Sequence, residues 1–136
     1  MSKYIDRAKA LRAIEVPHYN CAQAVVVPFA EEAGLSEQMA MAICSNFGRG
    51  MKRAAACGAI TGGLVVLGMF GIEDPIVIGA YYQKLRDNHE GLLDCAPLLK
   101  RNKELGLPKR PHCDGLIYEC IGLVEEILKE QGKLQG

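Results

Sequence analysis

The sequence predicts an all-α fold, a compact multi-helix bundle with a central glycine-rich apolar helix. Three observations carry that expectation. Capping residues (Ser, Asn or Asp) recur ahead of runs with helical apolar spacing. No stretch shows the sustained apolar–polar alternation of a half-buried strand. The segment that opens near Cys57 is apolar nearly all round, the pattern of a helix enclosed by others. The 136 residues suit one domain over 1–136, and a chain of this length buries about two thirds of its unfolded surface on folding.

The elements follow in order. Ser2 can cap a first helix running to Ile14, with Tyr4, Ile5, Ala8, Leu11 and Ile14 near one face; Val16-Pro17-His18 ends it. Asn20 caps a second helix that continues through Val25 and Phe29 to a stop at Gly34 and is kinked by Pro28, which lacks an N–H and crowds the preceding turn. Ser36 opens a third, carrying Met39, Ile43 and Cys44, followed by an irregular ligand-facing or mobile loop over 46–53. The fourth begins near Cys57. Its Gly58, Gly62, Gly63 and Gly68 each cost ~1 kcal/mol relative to alanine, so close approach by neighbours is expected in return. Asp74 and Pro75 restart the chain as N-cap and first helical residue of a helix to His89. Asp94 caps a short helix from Cys95, residues 102–112 read as a surface connection, and the last helix runs from Cys113 towards Gly132.

Composition excludes several function classes. Basic and acidic residues balance at 16 each, so no global positive field draws nucleic acid. The N-terminal segment lacks the apolar run and cleavage site of a secretory signal. The longest apolar stretch, 57–72, falls short of the ~20 residues of a membrane span and reads as a core helix. These features point to a cytoplasmic, reducing environment, where six cysteines suit redox or metal chemistry better than static crosslinks.

Laid on the helix map, Cys21, Cys57, Cys95 and Cys113 each fall in or beside the first turn of a predicted helix. Cys44 ends one and Cys120 sits mid-helix, and both read as small core hydrophobes. Unpaired N–H groups and the partial positive charge of a helix start favour a thiolate. Cys57, beside Gly58, is accordingly expected to be among the most thiolate-rich in metal-free protein. Gly58 either lets backbone approach a sulfur or cluster or serves helix packing, and the residues leave both open.

Cys57-Gly58-Ala59-Ile60-Thr61-Gly62, with Cys21 upstream inside Asn20-Cys21-Ala22-Gln23-Ala24-Val25 and Cys95 and Cys113 downstream, resembles the family named C_GCAxxG_C_C for its motif, to which a redox role is ascribed. The resemblance runs from about His18 through Cys113 and the helix beyond. It implies that Cys21, Cys57, Cys95 and Cys113 form one site; in related domains joined to cytochromes, the four cysteines are thought to hold an iron–sulfur cluster. The chain departs from relatives before Cys57, where Arg49, Lys52 and Arg53 stand among positions that commonly hold glycine.

The expected function is therefore electron transfer or redox chemistry, with the four cysteines as iron–sulfur ligands or as exchanging dithiols that form disulfides in aerobic preparations. The alternative is a structural zinc site in a helical interaction module, since four thiolates suit either metal. Partners would be a redox protein or a small redox molecule, and a homodimer is compatible with the sequence. No Cys-x-x-Cys pair exists, which removes thioredoxin-type motifs and zinc ribbons. Leu64 after Gly63 stands where a P-loop needs lysine. His112 reads as an exposed loop histidine, His18 and His89 carry no motif, and Lys52 and Arg53 read as a solvated loop.

Overall fold

The computed structural model describes residues 2–134, which form an all-α fold. Helices α1 (Lys3–Arg12), α2 (Cys21–Val26), α3 (Glu37–Ile43), α4 (Gly58–Met69), α5 (Pro75–Asn88), α6 (Cys95–Glu104) and α7 (Lys109–Glu130) follow in order. Among the described residues the only β-type pairing is an isolated bridge between Ala56 and Asp94. The capping chemistry is largely as the sequence predicts. Ser2 accepts from the Ile5 amide, Ser36 from Met39 and Asp74 from Ile76. Asn20 and Gln23 form a reciprocal capping box at the start of α2. Asp94 has the extended backbone of an N-cap, but its side chain accepts no capping hydrogen bond.

Helix α1 stops at Arg12, so Ile14 lies beyond it and is exposed. Pro28 does more than kink α2: the helix tightens to a 3₁₀ turn over Val27–Phe29, as expected where proline removes an amide donor. The surface connection expected over 102–112 is confined to residues 105–108, between the end of α6 and the start of α7. Asn102 belongs to α6 and is buried, with its Nδ2 donating to the Leu107 and Pro108 carbonyls. Helix α7 starts at Lys109, four residues earlier than Cys113. Pro111 falls in its first turn, where the missing N–H has no intrahelical partner to lose.

The most extensive helix contacts are α4 with α2 and α4 with α7. Glycine explains the first. A Cβ on Gly62 would stand 3.0 Å from both the Ala22 carbonyl oxygen and Val25 Cβ, and one on Gly63 would overlap the buried Tyr81 hydroxyl. That hydroxyl donates to the Ile60 carbonyl at 2.9 Å. Gly68 has no such neighbour, so close approach does not account for it. No helix is long and apolar enough to cross a membrane among the described residues.

Candidate functional site

Local backbone chemistry brings the four predicted cysteines to one end of the bundle. Cys21 is the first residue of α2, locked onto the end of α3 by Asn20 Nδ2 donating to the Cys44 carbonyl and Gln23 Nε2 donating to Met41. Cys57 is the N-cap of α4 and Cys95 the first residue of α6. The Ala56–Asp94 bridge ties these two starts together: the Cys57 amide donates to Leu93 at 3.1 Å and the Cys95 amide to Ala55 at 2.6 Å. Cys113 is the exception to the helix-start expectation, because the earlier start of α7 leaves it past the first turn.

The charge states invert the expectation for Cys57. Burial pushes its thiol up, and the neighbouring Cys95 and Cys113 sulfurs push the same way; the Ile60 and Ala59 amides oppose this without prevailing. At 7% exposure, desolvation outweighs the helix terminus. Cys113 is the acidic thiol instead. A hydrogen bond from Cys21 brings it down to about 7 against the cost of burial, with help from Lys109 and Arg12. Cys21 is correspondingly raised, by that same bond and by burial, and holds the shared proton. Burial raises Cys95, while Lys109 and Arg49 moderate the shift. The two remaining cysteines are fully buried: Cys44 is pushed up to about 11 by desolvation, and Cys120 is raised in the core beside Tyr81.

Cys21, Cys57 and Cys95 line a cavity of about 660 Å³, and Cys113 abuts it through Cys21. Gly58 is there too, but its geometry is that of packing: a Cβ would stand 2.8 Å from the Phe47 carbonyl oxygen and 3.3 Å from Cys21 Cβ. The lining carries Arg12, Arg49, Lys52, Arg53, Lys109 and Arg110, and no carboxylate. Arg12 is buried, its Nε donating to Asp114 at 2.7 Å and its Nη1 to the Tyr19 carbonyl at 2.9 Å. Arg110 lies 3.8 Å from the same carboxylate. Among the described residues the other four cations have no carboxylate within ion-pair distance.

The 46–53 loop is thus part of the cavity wall. Arg49, Met51, Lys52 and Ala54 have left-handed backbone, with φ of 55°, 61°, 61° and 58°, and Gly50 joins them at 61°. Each such non-glycine residue costs on the order of 1 kcal/mol. A Cβ on Gly50 would come within 2.8 Å of Cys95 Cβ and closer still to the Ala55 backbone, so the turn packs tightly beside Cys95.

The model of the family described as "Putative redox-active protein (C_GCAxxG_C_C)" matches residues 19–127. The chain belongs to this family. Neither a curated protein nor a solved structure matches it significantly. The C_GCAxxG_C_C description supports redox activity without naming a cofactor. Four sulfurs are a donor set that suits zinc or an iron–sulfur cluster. Among the described residues no three His, Cys, Asp or Glu side chains are grouped closely enough to hold a metal ion in this arrangement.

The histidines divide. His112 is not on an exposed loop: it sits in α7, half-buried, with Nε2 buried and unpartnered among the described residues. His89 pairs with Glu119 at 2.8 Å, away from the cysteines. His18 lines the cavity and is held neutral by burial and by Arg12 and Arg110. Arg12, Lys109 and Arg110 line the cavity without any motif in the sequence to mark them. A signal for Arg12 existed, since it follows Leu11 on the buried side of α1.

Proposed function

We propose that the chain is a dithiol–disulfide redox protein in which Cys113 is the attacking sulfur and Cys21 its resolving partner. The observation that carries this reading is the pair itself, two cysteines brought together by the packed helices α2 and α7 beside a cation-lined cavity. A thiol with a pKa near ambient pH is the best compromise between thiolate fraction and nucleophilicity. Together the two sulfurs supply two electrons to a disulfide acceptor and close as a Cys21–Cys113 disulfide. Cys57 and Cys95, held as thiols on neighbouring backbone, form the second tier, able to exchange with that disulfide.

The second reading, an iron–sulfur cluster or structural zinc on the same four sulfurs, is favoured by their arrival from four separate segments of chain. Anaerobic purification followed by metal analysis separates the two, and oxidation in a graded glutathione buffer with peptide mapping tests the first. The dithiol reading expects substoichiometric metal and a Cys21–Cys113 crosslink as the first disulfide formed. Stoichiometric iron or zinc, lost when any of the four cysteines is replaced, would establish the second reading instead.

A further inference from the structure

Six cationic side chains around one cavity, with no carboxylate in the lining, form an arrangement that needs a counter-charge. Asp114 answers Arg12 and Arg110 from α7, which leaves Arg49, Lys52, Arg53 and Lys109 directed at solvent and cavity. Three of these four belong to or flank the left-handed turn, so backbone strain is maintained where the charges are placed. Strain of this kind concentrates at ligand clamps. The cavity's about 660 Å³ lies in the range of sites for whole small molecules, and a single oxyanion would leave most of it unfilled. Leu99 and Ala54 add apolar wall between the charges.

We propose that this cavity binds a small carboxylate-bearing disulfide of peptide size and presents its sulfur–sulfur bond to the Cys21–Cys113 pair. The assignment rests on the dithiol reading above and adds the substrate class. Its physical basis is that two anions must meet: the charged Cys113 sulfur repels an anionic disulfide in water, and surrounding cations cancel that repulsion. The Cys113 sulfur attacks one sulfur of R–S–S–R, the substrate bond breaks, and R–S⁻ departs with the electron pair. Cys21 gives its proton to that leaving thiolate and attacks the Cys113 sulfur. The Cys113–S–R bond breaks, a second R–S⁻ leaves, and the Cys21–Cys113 disulfide remains. The protein has lost two electrons and one proton, and the substrate has become one thiol and one thiolate.

Single-turnover oxidation of reduced protein by glutathione disulfide, neutral hydroxyethyl disulfide and cationic cystamine tests the proposal, each rate divided by that of free dithiothreitol with the same disulfide. Glutathione disulfide should lead cystamine by on the order of tenfold or more at low salt, with the lead shrinking as salt rises. Lys52→Glu/Arg53→Glu, at exposed loop positions, should erase it while circular dichroism stays native. Equal normalised rates for all three would overturn the substrate assignment and leave the dithiol reading standing. Failure of every disulfide to oxidise the pair would overturn the dithiol reading. In that event calorimetry with the unreactive thioether S-methylglutathione on Cys21→Ser/Cys113→Ser protein decides the cavity by itself. Binding weakened about tenfold by Lys52→Glu/Arg53→Glu upholds an anionic peptide-sized ligand; no binding, or displacement by equimolar inorganic phosphate, overturns it.

Discussion

Cys113 and Cys120 lie about two turns apart on α7, yet one is the most acidic thiol of the site and the other is held firmly protonated. The helix is common to both, so the difference comes from what packs against it. Cys113 meets the Cys21 S–H, Lys109 and Arg12 at the cavity end. Cys120 is fully buried in the apolar interior, beside Tyr81 and beneath the α4–α7 contact. One end of the bundle spends stability on strained backbone and gathered charge; the other is filled tightly around glycine. Chemistry therefore follows the neighbours of a cysteine more closely than its place along a helix.

The largest expected effect breaks the packed end. Gly63→Ala drives a methyl into the Tyr81 hydroxyl, which is fully buried and committed to the Ile60 carbonyl. Overpacking costs about 1–3 kcal/mol and an orphaned buried hydroxyl about as much again. Urea unfolding should show a loss of about 3–4 kcal/mol, while Cys113 alkylation in the folded fraction keeps its pH midpoint. An unchanged unfolding midpoint would mean the two ends are not packed differently.

A smaller effect comes from the charged end. Asp114→Ala leaves the buried Arg12 guanidinium without its carboxylate and should cost about 2 kcal/mol by the same urea measurement. Because Asp114 raises the Cys113 pKa, the substitution should also move the Cys113 alkylation midpoint downward, an effect no packing defect predicts.

The smallest expected change isolates the pair. Cys21→Ala removes the donor that does most to acidify Cys113, and alkylation of Cys113 at pH 7 should slow by on the order of tenfold. The same pair sets a pH dependence of stability. Between about 7 and the ordinary thiol value of 9.0, the folded pair holds one proton where the unfolded chain holds two, so its contribution to stability rises with pH. Above that value the unfolded chain loses both protons while the raised Cys21 keeps its own, and the contribution falls. Unfolding free energies of the wild type minus those of Cys21→Ala/Cys113→Ala, taken from pH 6 to 10, should trace that rise and fall; a flat difference would dissolve the pair.

Much of the fold could be read from local chemistry. Ser2, Asn20, Ser36 and Asp74 act as caps because each side chain needs only its own next turn of backbone. The start of α7 is not legible locally, because Pro108 and Pro111 have the pattern of a break, whereas proline is tolerated at the N-cap and in the first turn, where they lie. The motif resemblance located the four cysteines, and the structure brings them to one end. Their charge states were not legible: burial of Cys57 and the Cys21–Cys113 contact are tertiary facts, and both override the helix-start argument. The cation-lined wall was hidden for the same reason, since Arg12, Arg49 and Lys109 converge from three distant segments.

The most direct test of the account is competitive alkylation of the folded, metal-free protein across pH 5 to 10, with each cysteine quantified by mass spectrometry. Cys113 should react first, with a midpoint of about 7, and Cys57 and Cys120 should stay unmodified until well above that pH. Cys57 reacting ahead of Cys113, or Cys113 titrating at the ordinary thiol value, would contradict the account.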